Sequence, residues 1–398
     1  MGTLDKVKGL VENPPKEYRS APFWGWNDRL QKENLGEQIE GFKKAGMGGF
    51  FIHSREGLET EYLSTEWMED VKFCVDKARE NDLELWIYDE DKWPSGAAGG
   101  KVSRVNPAEF TARALTMECG KAGEVAVPAK LSIEEERIVT GDSDSLMCGG
   151  NRSVDENSMS GRNGSEDLAV EETMETEFLQ GIYVIQTEAD GRFIKRMKEY
   201  LTYEEAAGAC GVDEEILLLR QEISGKSEWY NGLMPPDNLN PESVKTFLKL
   251  THEHYEEVFG GSFPKEVKGF FTDEPNCCDF FSVFHEGRPW IPWSIGFTEY
   301  FIEKRGYDPQ EKLPYLFFDG EGAEKIRHDY WKTVAQRFEE SYMKQVYEWC
   351  DKRGLRTTGH ILYENDLGYQ TRVCGAAMPQ LRYLHNPGID LLGAQTDE

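Results

Sequence analysis

Two acids follow an apolar run directly in Gly269-Phe-Phe-Thr-Asp273-Glu274-Pro275, and the proline stops further ladder pairing. A carboxyl group placed there, beside aromatic walls, is partly desolvated. Desolvation favours its neutral form and suits it to protonate a leaving-group oxygen near neutral pH. Glu274 is thus the candidate general acid, with Asp273 beside it for binding. Asp89, Glu90 and Asp91 follow a second apolar run and precede Trp93. Acids beside an indole suit a sugar, because carboxylates accept hydroxyl hydrogen bonds while the ring stacks on the apolar face of a pyranose. The same acids, Asp89 among them, also suit a cation.

His53 and Arg55 close one apolar run, and His360 closes another with Glu364 four residues on. Two histidines at equivalent strand ends, each near a charged residue, are candidate substrate-binding groups. Trp24 and Trp26 are expected on opposite faces of the first strand, one in the outer helix layer, leaving Trp26 and Asn27 as candidates for the sugar. Two look-alikes are set aside. Pro94–Ser103 resembles a phosphate loop but lacks glycine at 95 and Ser or Thr at 102, so no nucleotide cofactor is expected. His252-Glu-His-Tyr-Glu256 lacks the second histidine at the spacing of a zinc helix, and a solvated helix face is expected there.

The elements that must carry these residues alternate as in parallel βαβ units. Strands are expected at Phe23–Asn27, Gly49–His53, Leu83–Tyr88, Gly269–Pro275, Leu355–Ile361 and Gly388–Gly393, with helices between them and Ser64 capping the second helix. At least five successive strands end in polar candidates, which places them at one barrel mouth rather than at the single switch point of a doubly wound sheet. The expected fold is α/β, a (β/α)8 TIM-type barrel two strands short, with about six strands in this chain. Residues 1–105 carry the first three βα units and 236–398 units four to six. Residues 106–235 form a β-rich insertion, with a hairpin around Asp190-Gly191 and a disordered acidic loop at 141–177.

Composition narrows the function. Lys and Arg number 45 against 73 Asp and Glu, for a net charge of −28, so a nucleic-acid partner is not expected. The ten tryptophans exceed what a core needs. No apolar run approaches the length of a spanning helix or a signal peptide, so no membrane partner and a cytoplasmic location are expected, with the sequons at Asn151 and Asn163 unused. The eight cysteines contain no C-x-x-C pair and read as free thiols.

The run Ala21-Pro-Phe-Trp-Gly-Trp-Asn27, with Gly49-Phe-Phe-Ile-His-Ser-Arg55, Gly57-Leu58, Tyr62-Leu-Ser64, Trp86-Ile-Tyr-Asp-Glu90 and Phe271-Thr-Asp-Glu-Pro275, resembles the α-L-rhamnosidase-like glycoside hydrolases of family 106. The resemblance implies a barrel catalytic domain, an inverting mechanism and a bound calcium ion, Ca2+, that helps hold the sugar. It also implies further barrel and β-sandwich segments beyond this length, so missing C-terminal domains or self-association through open sheet edges are expected. Within it Glu274 is the acid. Glu364 is a candidate base or calcium ligand, and Glu398 or a residue outside this chain is an alternative base. Two other functions remain open: a metal-dependent sugar isomerase, and a truncated, non-catalytic carbohydrate-binding remnant.

Overall fold

Six short strands rich in β-branched and aromatic residues run parallel in one sheet: β1 (Phe23–Trp26), β2 (Gly49–Ser54), β3 (Glu84–Tyr88), β4 (Val267–Asp273), β5 (Arg356–His360) and β6 (Asn386–Pro387). The computed structural model describes residues 3–125, 132–138, 169–175, 177–277 and 288–390. Strand order in the sheet equals strand order in the chain, with every neighbouring pair parallel. Such a sheet winds one way only, with no point at which the order reverses, and so has no switch-point crevice. It curls into an arc. The two edge strands share no ladder among the described residues, yet Phe23 and Gly25 of β1 and Gly388 after β6 line one cavity. The last strand is two residues long and lies before the expected 388–393, of which 391–393 fall outside the described residues.

Helices cover the outer face because each buries one stripe. Ser64 caps helix Thr65–Glu80 by accepting the Trp67 N–H, and Trp67, Val71, Cys74, Val75 and Ala78 face the sheet. The helical stretch from Pro241 to Phe259 and that from Ala323 to Asp351 each carry a five-residue π segment, Lys249–Glu253 and Glu339–Met343. The first π segment corrects the expected solvated helix face. His252 stands four residues after Leu248 and three before Tyr255, on the apolar stripe, and is buried with its ring 4.0 Å from Phe270.

A second six-stranded sheet has the order Trp290–Trp293, Arg113–Gly120, Glu215–Ile223, Glu177–Thr187, Phe193–Tyr200, Asp319–Gly320. Its first four pairings are antiparallel and the last is parallel. Two of its strands come from beyond residue 235, so it is not assembled from one contiguous stretch. Gly191, at a positive φ of 70°, closes the hairpin expected at Asp190-Gly191. Most of the acidic stretch 141–177 lies outside the described residues, and at its far end Ala169–Glu175 is a strand paired with Ser132–Ile138.

Candidate functional site

Side chains two apart on a strand share a face, and this parity sorts the strand-end residues. Phe23, Phe51, His53, Trp86, Tyr88, Phe271, Asp273 and His360 turn to the inside of the arc and touch one another. The Phe51 and Trp86 rings stack at 5.4 Å, Phe23 meets Phe271 edge-on at 4.7 Å, and His53 stacks on Tyr88 at 3.7 Å. Above them opens a cavity of about 490 Å³, lined by Phe23, Gly25, His53, Arg55, Phe271, Asp273, Gly359, His360, Gly388, Ile389 and Asp390. Its floor is aromatic and its rim is charged.

His360 organises the charged side. Its Nε2 lies 2.6 Å from Asp273 Oδ1 and its Nδ1 lies 2.8 Å from Glu364 Oε1. Burial opposes a charge on the ring, but the hydrogen bonds with Asp273 and Glu364 outweigh it and push His360 up to about 10. The ring is therefore an imidazolium at neutral pH, donating from both nitrogens. The Tyr88 hydroxyl donates to the other Asp273 oxygen at 2.7 Å. Glu274 comes next, at a positive φ of 48°, which a residue with a Cβ adopts only when its surroundings impose it. Burial, with the neighbouring Asp273 carboxylate, pushes Glu274 up to about 7. His53 is the opposite case: burial pushes it down to about 4, and its neutral ring bonds the Ser54 carbonyl through Nδ1.

Of the sequence-predicted site residues, His53, Arg55, Asp273 and His360 line the cavity, Glu274 and Glu364 adjoin it beside Asp273 and His360, and three others are buried in the scaffold. Trp26 is buried in the helix layer, with its ring 5.4 Å from Trp24 and 5.1 Å from Trp67. The expectation that Trp24 and Trp26 face opposite ways fails because residues i and i+2 share a face. Asp89 follows the outward parity of Leu85 and Ile87, is fully buried, and accepts the Ser95 hydroxyl at 2.6 Å. Glu90 is also fully buried and accepts five backbone N–H groups, those of Asp91, Gly96, Ala97, Ala98 and Gly99, at 2.6–3.1 Å. The glycine-rich stretch that resembles a phosphate loop is thus an anion nest filled by the protein's own carboxylate. Asn27 is exposed at the end of β1. Trp93 supports Arg55, whose guanidinium lies 5.0 Å over its ring.

Ser95 links this loop to the site. Its N–H donates to the Asp273 carbonyl and its hydroxyl oxygen accepts the Asp273 N–H, each at 2.8 Å. Asn238, arriving from the second sheet, donates to the carbonyls of Ser95 and Asn276 at 3.2 and 3.1 Å. A Cβ on Gly96 would fall 2.3 Å from the Asn238 Oδ1, at a φ of 124°, so only glycine fits there. Sequence reasoning passed over Tyr88, Ser95, Asn238 and Asp390. The parity of β3 contained the signal for Tyr88, since an inward Tyr88 sends Asp89 outward. Ser95, Asn238 and Asp390 meet the site through folding alone.

One cluster among the described residues brings metal-ligating atoms together: Asp273, Glu274 and His360, within 4.8 Å of one another. His360 has both nitrogens committed to carboxylates and both Asp273 oxygens are hydrogen-bonded, to His360 and to the Tyr88 hydroxyl, so the cluster does not present an oxygen cage of the kind calcium takes. The two sequence candidates for a metal do not meet, Asp89 being turned to the helix layer and Glu364 lying beyond His360.

Among the described residues no helix is long and apolar enough to cross a membrane. No family model matches the chain, and no curated protein matches it in sequence. Among solved structures the chain is similar to that of a rhamnosidase from Novosphingobium sp. PP1Y, with a TM-score of 0.55 at 14% identity, over 95% of this chain and 49% of that one. The chain thus spans about half the length of that enzyme. At this identity the likeness is one of fold, a mixed α/β protein whose parallel sheet curls as part of a barrel does.

Proposed function

We propose that the chain carries the sugar-cleaving site of a glycoside hydrolase of the α-L-rhamnosidase type, with its parallel sheet as part of a barrel. The observation that carries this is Glu274, raised to about 7 and within 4.8 Å of Asp273 and His360, which line a cavity floored by aromatic rings. A carboxyl group poised near 7 beside an ion-paired acid cluster is what general acid catalysis at a glycosidic oxygen requires. Glu274 gives its proton to the departing oxygen as the bond from that oxygen to the anomeric carbon breaks. Water attacks that carbon from the opposite face and passes its proton to a carboxylate. Glu364, oriented by His360, is the base proposed here. Phe23 and Phe271 offer apolar surface to the ring, and His53 and Asp273 offer it polar atoms.

Calcium, which the motif resemblance implies, would supply positive charge to hold sugar hydroxyls. The donor set at Asp273 and Glu274 does not favour it while His360 keeps its proton, and no step is assigned to it. Hydrolysis is expected to survive chelation with EDTA. A calcium-dependent rate, with a lowered His360 pKa on adding calcium, would put the ion in the site.

The test is Glu274→Gln on aryl α-L-rhamnosides. Loss of the acid slows substrates with poor leaving groups severely and activated ones much less. Equal losses on both, or none, remove Glu274 from that role. Wild-type protein that hydrolyses no rhamnoside refutes the reading.

A further inference from the structure

Glu274 sits between pinned neighbours. On its N-terminal side Ser95 holds both backbone groups of Asp273, and the Ser95 hydroxyl is itself fixed by donating to the buried Asp89 at 2.6 Å. On its C-terminal side Pro275 brings no N–H. The next carbonyl, that of Asn276, accepts from the Asn238 amide at 3.1 Å, and the Cys277 N–H donates to the Val373 carbonyl at 2.7 Å. The same Asn238 nitrogen donates to the Ser95 carbonyl at 3.2 Å. One amide thus joins the loop after β3 to the turn after β4, with Glu274 inside that turn at a φ of 48°. A residue with a Cβ keeps such a conformation only where its neighbours enforce it.

Asn238 is built for this contact. Both atoms facing its Nδ2 are carbonyl oxygens, so only a group with two N–H donors satisfies them, while its Oδ1 is buried with no hydrogen-bond partner among the described residues. Buried amides are normally satisfied at both ends. Here the side chain is placed for its donors at the expense of its acceptor. The backbone behind it is anchored from three directions. The Asn238 carbonyl accepts the Ser341 hydroxyl of the second π segment at 2.6 Å, Asp237 accepts the Ser294 hydroxyl at 2.6 Å, and the Leu239 carbonyl accepts the Arg337 Nε at 2.8 Å. Ser95, Asn238, Asn276 and Ser341 are all buried.

We propose that Asn238 is a positioning residue for Glu274: its amide, tying Ser95 to Asn276 across the turn, sets where the Glu274 carboxyl stands against Asp273 and His360. This rests on reading Glu274 as the proton donor to a glycosidic oxygen. Asn238 does not line the cavity and acts only through the backbone on either side of Glu274. Its loss therefore leaves the cavity-lining groups in place and moves the acid.

The experiment follows Asn238→Ala in the whole chain with two readouts. One is turnover of aryl α-L-rhamnosides with poor and good leaving groups. The other, which needs no substrate, is the 13C titration of the Glu274 carboxyl, assigned with Glu274→Gln. A reacting group misplaced by about 1 Å loses roughly a hundred-fold in rate, so kcat on poor leaving groups is expected to fall by about that factor, on activated ones much less, with KM little changed. The Glu274 midpoint is expected to drop from about 7 toward its ordinary 4.5 as the freed carboxyl turns to water. Trp26→Ala, destabilised in the helix layer, is expected to show neither change. Ser341→Ala keeps the amide and withdraws only the hydroxyl behind it. It should move both readouts the same way by a smaller factor, and it carries the test where Asn238→Ala does not fold. Equal losses on poor and good leaving groups, or a Glu274 midpoint that stays at about 7, overturn the proposal. The outcome is separable from the glycosidase reading. A midpoint that drops in Asn238→Ala, in a protein whose wild type hydrolyses no glycoside, sinks the hydrolase and leaves the positioning role. Glu274-dependent rhamnoside hydrolysis that Asn238→Ala does not alter sinks only the latter.

Discussion

The Nε2 of His360 lies 2.6 Å from Oδ1 of Asp273, across the ladder that pairs β4 with β5. The two residues are direct partners in the register, so the parallel pairing itself sets the ion pair. Glu364 on the other ring nitrogen makes the histidine a bridge between two acids.

That bridge has a pH signature. His360 is raised from an ordinary 6.5 to about 10. A base whose folded pKa is raised contributes stability that is fully present below the unfolded value and is lost as pH rises through the folded one. The urea midpoint of the wild type should therefore exceed that of His360→Gln most clearly below about pH 6.5, and the gap should narrow between 6.5 and about 10. A gap independent of pH over that window would mean the ring is neutral.

Glu274 moves in the opposite functional sense. Its carboxyl is raised from 4.5 to about 7, so the protonated form needed for acid catalysis is lost as pH climbs through about 7. kcat/KM for a substrate with a poor leaving group should fall on that alkaline side. In Glu274→Gln the residual rate should not show that limb. The same shift makes the folded state lose stability relative to the unfolded between 4.5 and about 7, because in that range the folded state holds the extra proton.

Glu90 is a stability residue. In Glu90→Gln one oxygen must serve where two now accept five N–H groups, and the amide adds donors of its own. Leaving buried donors unmet is expected to cost about 2–5 kcal/mol. Denaturant titration reads the loss, and hydrogen exchange at Gly96–Gly99 should quicken. An unchanged midpoint with unchanged exchange would show that water replaces the carboxylate.

Trp26 and Phe23 separate core from site on one strand. Trp26→Ala should cost about 3–5 kcal/mol, because it empties a buried volume beside Trp24 and Trp67. The specific activity of the remaining folded protein should change little. Phe23 is 53% exposed at the cavity. Phe23→Ala should barely move the midpoint while raising KM several-fold. The reverse pattern would place the sugar on the helix side of the sheet.

Local pattern determined much of this protein. Alternating apolar runs and helical stripes specify where the parallel strands form, because burial of one face depends on periodicity within a few residues. The polar ends of β2, β4 and β5 carry His53, Asp273 and His360, and parallel strands of one sheet point them the same way. Facing follows from the same two-residue period, which turns Tyr88 inward, Asp89 outward and both Trp24 and Trp26 to the helices, although the two tryptophans were expected on opposite faces and Tyr88 was passed over. Partners were not legible. Glu90 reads as a free acid until the loop at 96–99 folds over it, and Arg55 reads as a lone cation until Trp93 comes under its guanidinium. Those contacts join segments far apart in sequence, as when Asn238 reaches Ser95, and the desolvation that lifts Glu274 and drops His53 comes from what packs around them. Spacing along a chain carries no record of such neighbours, so only the tertiary structure decided which acids are buried in the scaffold and which face the cavity.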